Sequence, residues 1–159
     1  PIAQHPAPVD ATRVPESLGG FRTMFSAFHH FAPHTARRIL GDAVARREPL
    51  AVFEATTRSV ACLSFVLLAP LITLLVMPIV RPRRWTNFLF TYLIPIVPLM
   101  VLWDGVVSCL RTYDVPELHA LARAADPEGT YDWQAGEVYR RGPIPVTYLI
   151  GVPRAATTT

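Results

Sequence analysis

The sequence predicts an α/β fold in which a partial sheet is interrupted by an apolar helical insertion. Three observations predict it. Strand, helix and strand patterns follow one another between residues 21 and 55. Two long uncharged runs fill most of residues 59–103, and two further strand patterns lie between residues 131 and 150. Alternation of strands with a helix is typical of a parallel sheet, and a final strand pair is typical of an antiparallel hairpin.

The first part, residues 1–58, predicts one half of an α/β domain. Phe21–Phe28 is rich in aromatic residues and predicts a buried strand. Leu50–Ala55 is a short apolar run typical of a strand covered on both faces. Between them, Pro33 suits a first helical turn, and one apolar helix face is formed by Ala36, Ile39, Leu40, Ala43 and Val44. This order predicts a βαβ unit with parallel strands.

The second part, residues 59–103, predicts a membrane-associated insertion. Ser59–Val80 contains 22 uncharged residues and Trp85–Trp103 contains 19. Each run approaches the roughly 20 residues that cross a hydrocarbon core. Tryptophan at the ends of an apolar run is typical of membrane interfaces. We therefore expect contact with the membrane at Arg81, Arg83, Arg84, Trp85 and Trp103.

Three arrangements of this insertion are open. A hairpin of two transmembrane helices is the first, but four prolines lie inside the runs, namely Pro70, Pro78, Pro95 and Pro98. If the flanks are cytoplasmic, such a hairpin also places three arginines outside, against the positive-inside rule. A buried cap over an apolar pocket is the second. A segment that dips into one leaflet from the cytoplasmic face, with its arginines on anionic headgroups, is the third and favoured arrangement.

The third part, residues 104–154, returns to an ordinary pattern. Asp104-Gly105 predicts a turn at the membrane edge. Asp114 and Glu117 predict a capping box at the start of a helix. Tyr131–Tyr139 predicts a strand with one solvent-exposed face. Pro145–Ile150 predicts a last strand, which ends at Gly151 and Pro153. A disordered tail is expected at residues 155–159.

Composition excludes several classes of function. All 15 basic residues are scattered arginines and the net charge is only +3, so no nucleic-acid surface is expected. No G-x-S-x-G elbow or phosphate-binding Gly-Lys loop is present. Cys62 and Cys109 form neither a disulfide framework nor a metal-ligand spacing, which predicts a reducing compartment. The arginine, alanine and proline bias is typical of a GC-rich bacterial genome, and the start at Pro1 predicts a piece of a longer protein.

The order of short motifs resembles a known family. Val9-Asp10-Ala11-Thr12, a strand ending in His29-His30, a helix and a strand ending in Phe53-Glu54 resemble the later half of a class I S-adenosylmethionine-dependent methyltransferase. The resemblance implies a partial Rossmann-like sheet that ends in an antiparallel hairpin. It also implies that Asp10 and Ala11 bind the adenine edge of S-adenosyl-L-methionine in the complete chain.

The resemblance has a gap at the cofactor. The Gly-rich loop and the ribose-binding acidic residue of the family have no counterpart here, because Gly19-Gly20 precedes a strand instead of following one. We therefore expect the chain alone to bind the cofactor weakly or not at all, and to be inactive.

Candidate site residues follow the two predicted parallel strands. His29 or His30 is a candidate general base, since a loop after a parallel strand faces the cleft of an α/β sheet. The alternative is a histidine satisfied by a backbone carbonyl. A metal site at His29, His30 and His34 is not expected, because Phe31-Ala-Pro33 breaks any helix between them. Glu54 either faces the cleft or, as favoured, pairs with Arg58. Asp10 has a turn as its alternative role.

Together these features predict a methyltransferase-like protein on the cytoplasmic face of the bacterial inner membrane. Membrane lipid and a hydrophobic or lipid-like acceptor are the expected partners, without nucleic acid or metal. The alternative is a small integral membrane protein with two transmembrane helices and no catalytic activity.

Overall fold

A computed structural model describes residues 7–139 and 144–155 of the chain. Four strands and six α-helices are present in these residues. The strands are β1 (Arg22–Phe25), β2 (Leu50–Glu54), β3 (Tyr131–Val138) and β4 (Val146–Pro153). The helices are α1 (Pro33–Ala45), α2 (Val60–Leu67), α3 (Ala69–Val76), α4 (Trp85–Phe88), α5 (Ile96–Arg111) and α6 (Val115–Ala125). Beyond Ala155, the tail predicted to be disordered lies outside the described residues.

The strands form one mixed sheet in the order β1-β2-β4-β3. β1 and β2 are parallel and are joined through α1, which confirms the predicted strand-helix-strand unit. β4 lies antiparallel between β2 and β3, so the predicted C-terminal hairpin is also confirmed. The fold is therefore mixed α/β, with a four-stranded mixed sheet and helices.

The bounds of two predicted strands differ by three residues at one end, and the other strand ends differ by one residue or not at all. The strand expected at Phe21–Phe28 ends at Phe25, because Ser26 has a φ of 45° and Phe28–His30 forms a 3₁₀ turn. The last strand continues beyond Ile150 to Pro153, so Gly151 lies inside the strand instead of closing it. The cause is tertiary, since Gly151 is paired with both β2 and β3, and Val152 and Pro153 continue the pairing with β3.

One face of the sheet carries the core. Side chains of α1, α6 and the sheet pack there into a single buried cluster that includes Leu40, Val52, Leu118 and Leu149. Asp114 and Glu117 form the capping box predicted at the start of α6. On the opposite face, Phe25 is exposed and stacks on Phe53.

The segment before β1 runs beside α1. Thr12 accepts a hydrogen bond from Arg38, Val14 donates its N–H to Asp42, and Gly19 lies near Glu48. The segment therefore follows α1 from its middle towards its C-terminal end. α1 begins at the carboxyl end of β1, so Asp10 lies nearer that edge of the sheet than Val14 does.

Asp126 organises the turn between α6 and β3. Its buried carboxylate accepts hydrogen bonds from the backbone and hydroxyl of Thr130, from the backbone of Tyr131 and from the indole of Trp133. Burial by itself raises the pKa of Asp126, but these donors more than offset that effect and hold the pKa below its ordinary value of 3.8.

We expect Asp126→Asn to lower the free energy of unfolding by about 2 kcal/mol at neutral pH, because an amide cannot accept all four hydrogen bonds. A carboxylate whose pKa is lower in the folded state than in the unfolded state stabilises the fold fully at pH values above the unfolded-state pKa. This stabilisation is lost as the pH falls through the folded-state pKa. The difference in the free energy of unfolding between the wild-type protein and Asp126→Asn should therefore become smaller in acid. Urea unfolding between pH 2 and 7 measures it, with exposed Asp132→Asn as the control. An equal loss of stability in both variants would contradict this role for Asp126.

The apolar lobe, defined as residues 60–111, emerges between β2 and α6. Its prolines do not interrupt helices. Pro70 lies in the first turn of α3, Pro78 in a short 3₁₀ turn, and Pro95 and Pro98 at the start of α5. Backbone N–H groups in a first turn have no helical partner, so proline costs little at these positions. These prolines therefore lie in turns or in the first turns of helices.

Most of the lobe is exposed. Val60–Ile79 is a helical run of 20 residues with a mean hydropathy of 2.6, of which only 11% is buried. It is long and apolar enough to cross a membrane. The second run, Trp85–Leu93 and Ile96–Arg111, is bent by 72° at its break, as in a broken span or a re-entrant segment. The buried cap considered above would require that the side chains of the lobe be covered, whereas most of the lobe is exposed.

The turn predicted at Asp104-Gly105 is wrong. α5 continues through Asp104-Gly105 to Arg111, so no turn forms at that dipeptide. Gly105 is instead a place of close helix packing, because an added Cβ would lie 2.8 Å from a methyl group of Val66.

Candidate functional site

A buried pair of titratable side chains lies at the carboxyl ends of the two parallel strands. Glu54 is the last residue of β2, and its Oε2 lies 2.6 Å from Nδ1 of His29. Its Oε1 accepts the N–H groups of Phe28 at 2.6 Å and His29 at 3.3 Å. The two side chains are only 4% and 2% exposed. The 3₁₀ turn after β1 therefore wraps around one carboxylate.

This geometry fixes the tautomer of His29. An ionised carboxylate only accepts hydrogen bonds, so Nδ1 of His29 carries the proton that points at Glu54. Nε2 is then the basic nitrogen, and no hydrogen bond joins it to another residue of the described chain. A carboxylate that orients an imidazole in this way is a recurrent arrangement in proton-transfer sites.

His30 covers this pair. Its ring lies 4.2 Å from the ring of His29, centroid to centroid, and its side chain is exposed. Its backbone carbonyl accepts a hydrogen bond from Arg111, and Tyr113 donates to the carbonyl of Phe31. The end of the apolar lobe thus fixes the backbone on which the two histidines lie. Of the two, His30 is the one that a molecule in solution can reach.

The ion pair predicted between Glu54 and Arg58 is wrong. Arg58 instead pairs with Glu117 at 2.9 Å and donates to the carbonyl of Leu110. Residues four apart are neighbours on a helix, but the chain from Glu54 to Arg58 is a strand end followed by a bend. The partner of Glu54 is His29, which lies in the turn after β1. The spacing of residues in the sequence could not indicate this pairing.

Within the described residues, no hydrogen bond joins Asp10 or Ala11 to this pair. Oδ1 of Asp10 accepts the N–H of Thr12 at 2.8 Å and its hydroxyl at 2.9 Å, which is the turn considered as its alternative role. These two bonds lower the pKa of Asp10. Ala11 packs against the core and lines a cavity of about 220 Å³ with Val9, Thr23 and Ile39. A role for both residues in binding adenine remains a prediction.

An apolar cavity of about 430 Å³ lies at the same end of the sheet but on its uncovered face. The stacked rings of Phe25 and Phe53 form one wall, together with Tyr148. Phe53 and Glu54 are adjacent in a strand, so their side chains point to opposite faces. The cavity and the His29–Glu54 pair are therefore separated by the sheet.

The residues predicted to contact a membrane lie on the lobe. Arg81, Arg83 and Arg84 are exposed in the segment before α4, and Trp85 is 73% exposed. Trp103 is 72% exposed on α5. Exposed indoles and arginines on an apolar segment are features by which a protein can contact a membrane interface, and this contact remains a prediction.

Comparisons with family models, with curated proteins and with solved structures found no match. Among residues 7–139 and 144–155, no group of three or more histidine, cysteine, aspartate or glutamate side chains could hold a metal ion.

Sequence reasoning missed two contacts. One is the pairing of His29 with Glu54, for which the only signal was that each ends a strand predicted to be parallel to the other. The other joins Cys62 to Cys109 across 47 positions of sequence, inside a region where every helix is apolar and no pattern marks a register.

Proposed function

We propose that this chain is the C-terminal part of a Rossmann-like, S-adenosylmethionine-dependent methyltransferase that acts on a lipid-like acceptor at a membrane. One juxtaposition carries the proposal. The exposed apolar lobe begins six residues after the end of β2, whose last residue, Glu54, holds the buried His29 against the ring of His30. A hydrophobic acceptor that partitions into the bilayer beside the lobe would meet titratable groups at the carboxyl ends of parallel strands, where α/β proteins bind their ligands.

The order of elements supports the methyltransferase-like part of the proposal. The parallel unit, the acidic end of β2 and the antiparallel end of the sheet occur in the order that the resemblance implies. β1 is an edge strand among the described residues, and Phe25 beside it is uncovered. An open edge and an uncovered apolar residue are features that further strands and helices of a complete chain would cover.

The two histidines take different roles in the proposed reaction. His30 is exposed and would accept the proton that an acceptor hydroxyl or amine loses as it attacks the methyl group. His29, held by Glu54, positions the turn and supports the ring of His30 from below. S-adenosyl-L-methionine supplies the methyl group, and Asp10 with Ala11 would lie against its adenine.

Methyl transfer by the complete protein tests this assignment. With labelled S-adenosylmethionine and membrane vesicles, label should appear in the lipid-extractable fraction. We expect His30→Gln to slow transfer by about 100-fold or more without changing thermal stability. His29→Gln should lower both rate and stability. Transfer that is unaffected by His30→Gln, or absent in the wild-type protein, would contradict the proposed function.

Membrane attachment is tested through the three arginines. The triple change of Arg81, Arg83 and Arg84 to Gln should weaken binding to vesicles of anionic lipid by about 100-fold, since each basic residue near an anionic surface contributes about 1 kcal/mol. Binding of the wild-type protein should also fall as salt is raised. The control variant changes Arg13, Arg37 and Arg123 to Gln, which alters net charge equally on exposed residues outside the lobe. Equal weakening in both variants would contradict a headgroup contact at residues 81–84.

The second candidate is an integral membrane protein without catalysis, favoured by the length and hydropathy of Val60–Ile79. Alkaline extraction of membranes separates the two. Release into the soluble phase indicates a segment that dips into one leaflet, whereas retention indicates spanning helices.

A further inference from the structure

Two cysteine thiols meet where the apolar lobe joins the sheet domain. Sγ of Cys62, in the first turn of α2, lies 3.0 Å from Sγ of Cys109, in the last turns of α5. Both residues are free cysteines and both are buried, Cys109 completely and Cys62 to within 3%. A disulfide bond requires sulfurs about 2.05 Å apart, so a small approach of the two side chains would permit it.

These thiols belong to a neck that holds the two ends of the lobe together. The hydroxyls of Thr56 and Thr112 lie 2.7 Å apart. Arg58 donates to the carbonyl of Leu110 across the same gap. All of these contacts join the chain that enters the lobe to the chain that leaves it. The cysteine pair is the contact in this neck that can become covalent.

We propose that Cys62 and Cys109 are a redox modification site, and that a reversible disulfide between them locks the neck of the apolar lobe. The loop that it closes contains residues 63–108 and therefore almost the whole lobe. In the reduced state, the neck is held by non-covalent contacts only, namely hydrogen bonds, one ion pair that is open to solvent, and the packing of α2 on α5. In the oxidised state, α2 cannot separate from α5. The proposal is independent of the proposed methyl transfer.

A low-molecular-weight disulfide is the oxidant in this reaction. The thiolate of Cys62, the less buried of the two, attacks one sulfur of the small disulfide, whose S–S bond breaks and releases one small thiolate. Deprotonated Cys109 then attacks Sγ of Cys62 in the mixed disulfide and releases the second. Two protein thiols and one small disulfide become one protein disulfide and two small thiols, and the two protons lost by the protein end on the released thiols.

Equilibration with glutathione tests the proposal on the full chain in lipid or detergent. In excess reduced glutathione, alkylation after denaturation should label both cysteines. In excess oxidised glutathione, both should be protected in a monomer that has lost two hydrogens by mass, and returning to reduced glutathione should restore both thiols. Trypsin should cleave after Arg58 roughly tenfold more slowly in the oxidised form, because local opening of the neck is suppressed.

Cys62→Ser and Cys109→Ser are the matched controls, and each should abolish both the loss of two hydrogens and the change in cleavage rate. The remaining cysteine of either variant can be protected only as a mixed disulfide, which adds the mass of one glutathione. The comparison of oxidised with reduced wild-type protein does not depend on either variant folding. Thiols that stay free in excess oxidised glutathione would overturn the proposal, as would a bond formed only between two chains. A disulfide that resists excess reduced glutathione would overturn reversibility, and unchanged cleavage after Arg58 would overturn the lock.

Discussion

Replacing Glu54 by Ala should lower the free energy of unfolding by about 3–5 kcal/mol, the largest effect that we expect from one side chain. The carboxylate accepts hydrogen bonds from Nδ1 of His29 and from the N–H groups of Phe28 and His29, all in a buried place. Alanine leaves these three donors without a partner, and each buried donor left unsatisfied typically costs about 1–3 kcal/mol. The turn that presents His30 should loosen as well.

Denaturant unfolding measures this loss of free energy of unfolding. Two further variants test whether it arises from the hydrogen bonds of the carboxylate. Glu54→Gln should cost about half as much, because its amide oxygen can still accept from the backbone while its NH₂ group donates to Nδ1 of His29. That exchange forces the other tautomer of His29, which ¹⁵N NMR of the ring distinguishes. Exposed Glu128→Ala is the control and should change stability by less than about 0.5 kcal/mol. Equal stability of the Glu54→Ala and Glu128→Ala variants would show that the carboxylate does not hold the turn.

Replacing Gly151 by Ala should lower the free energy of unfolding by about 2–4 kcal/mol. In β4, Gly151 is paired with Trp133 of β3 and with Leu50 of β2. An added Cβ would lie 2.6 Å from Cε3 of the Trp133 ring, well inside contact distance. The ring cannot withdraw freely, because it stacks on Tyr131 and its N–H is bound by Asp126. Overpacking of this kind in a fixed core costs several kcal/mol.

Gly41→Ala is the matched control for this change. Gly41 lies within α1, and an added Cβ there would meet no atom within 4 Å. Alanine should therefore stabilise the protein by about 0.5–1 kcal/mol, through its higher helix propensity. In a double-mutant cycle, Gly151→Ala is also made in a protein that carries Trp133→Ala. There it should cost at least about 1 kcal/mol less than in the wild-type protein, because the ring that the added methyl group would meet is gone. If the free-energy costs of the two substitutions are additive, the effect of Gly151→Ala arises from the backbone and not from a clash with the Trp133 ring.

The local patterns of the sequence determined the elements that depend on neighbouring residues. The periodicity of α1 with Pro33 in its first turn, the capping box of Asp114 and Glu117, and the apolar run of β2 each act over a few positions. Their energies are local, so spacing alone predicted them. The exposed tryptophans and arginines of the lobe were likewise expected from hydropathy, since a run of apolar residues this long exceeds what one small core can cover.

The partners of the site residues depended on tertiary structure. Arg58 was predicted to pair with Glu54, yet it pairs with Glu117, because the bend after β2 carries it towards α6. The end of β1 was predicted as strand, yet a positive φ at Ser26 begins the turn that brings His29 onto Glu54. Both outcomes arise from contacts between residues more than 20 positions apart, for which a single sequence carries no spacing signal.

The apolar block between β2 and α6 shows both kinds of information. Its composition by itself determined that it is a continuous apolar segment between the two parts of the sheet, and predicted contact with a membrane, because so long an apolar run exceeds what one small core can cover. Only the tertiary structure decided that its prolines start helices, that α5 runs through Asp104-Gly105, and that Cys62 meets Cys109 at the neck. The physical reason is that hydropathy is a sum over residues, whereas helix breaks and side-chain contacts depend on the path of the backbone through space.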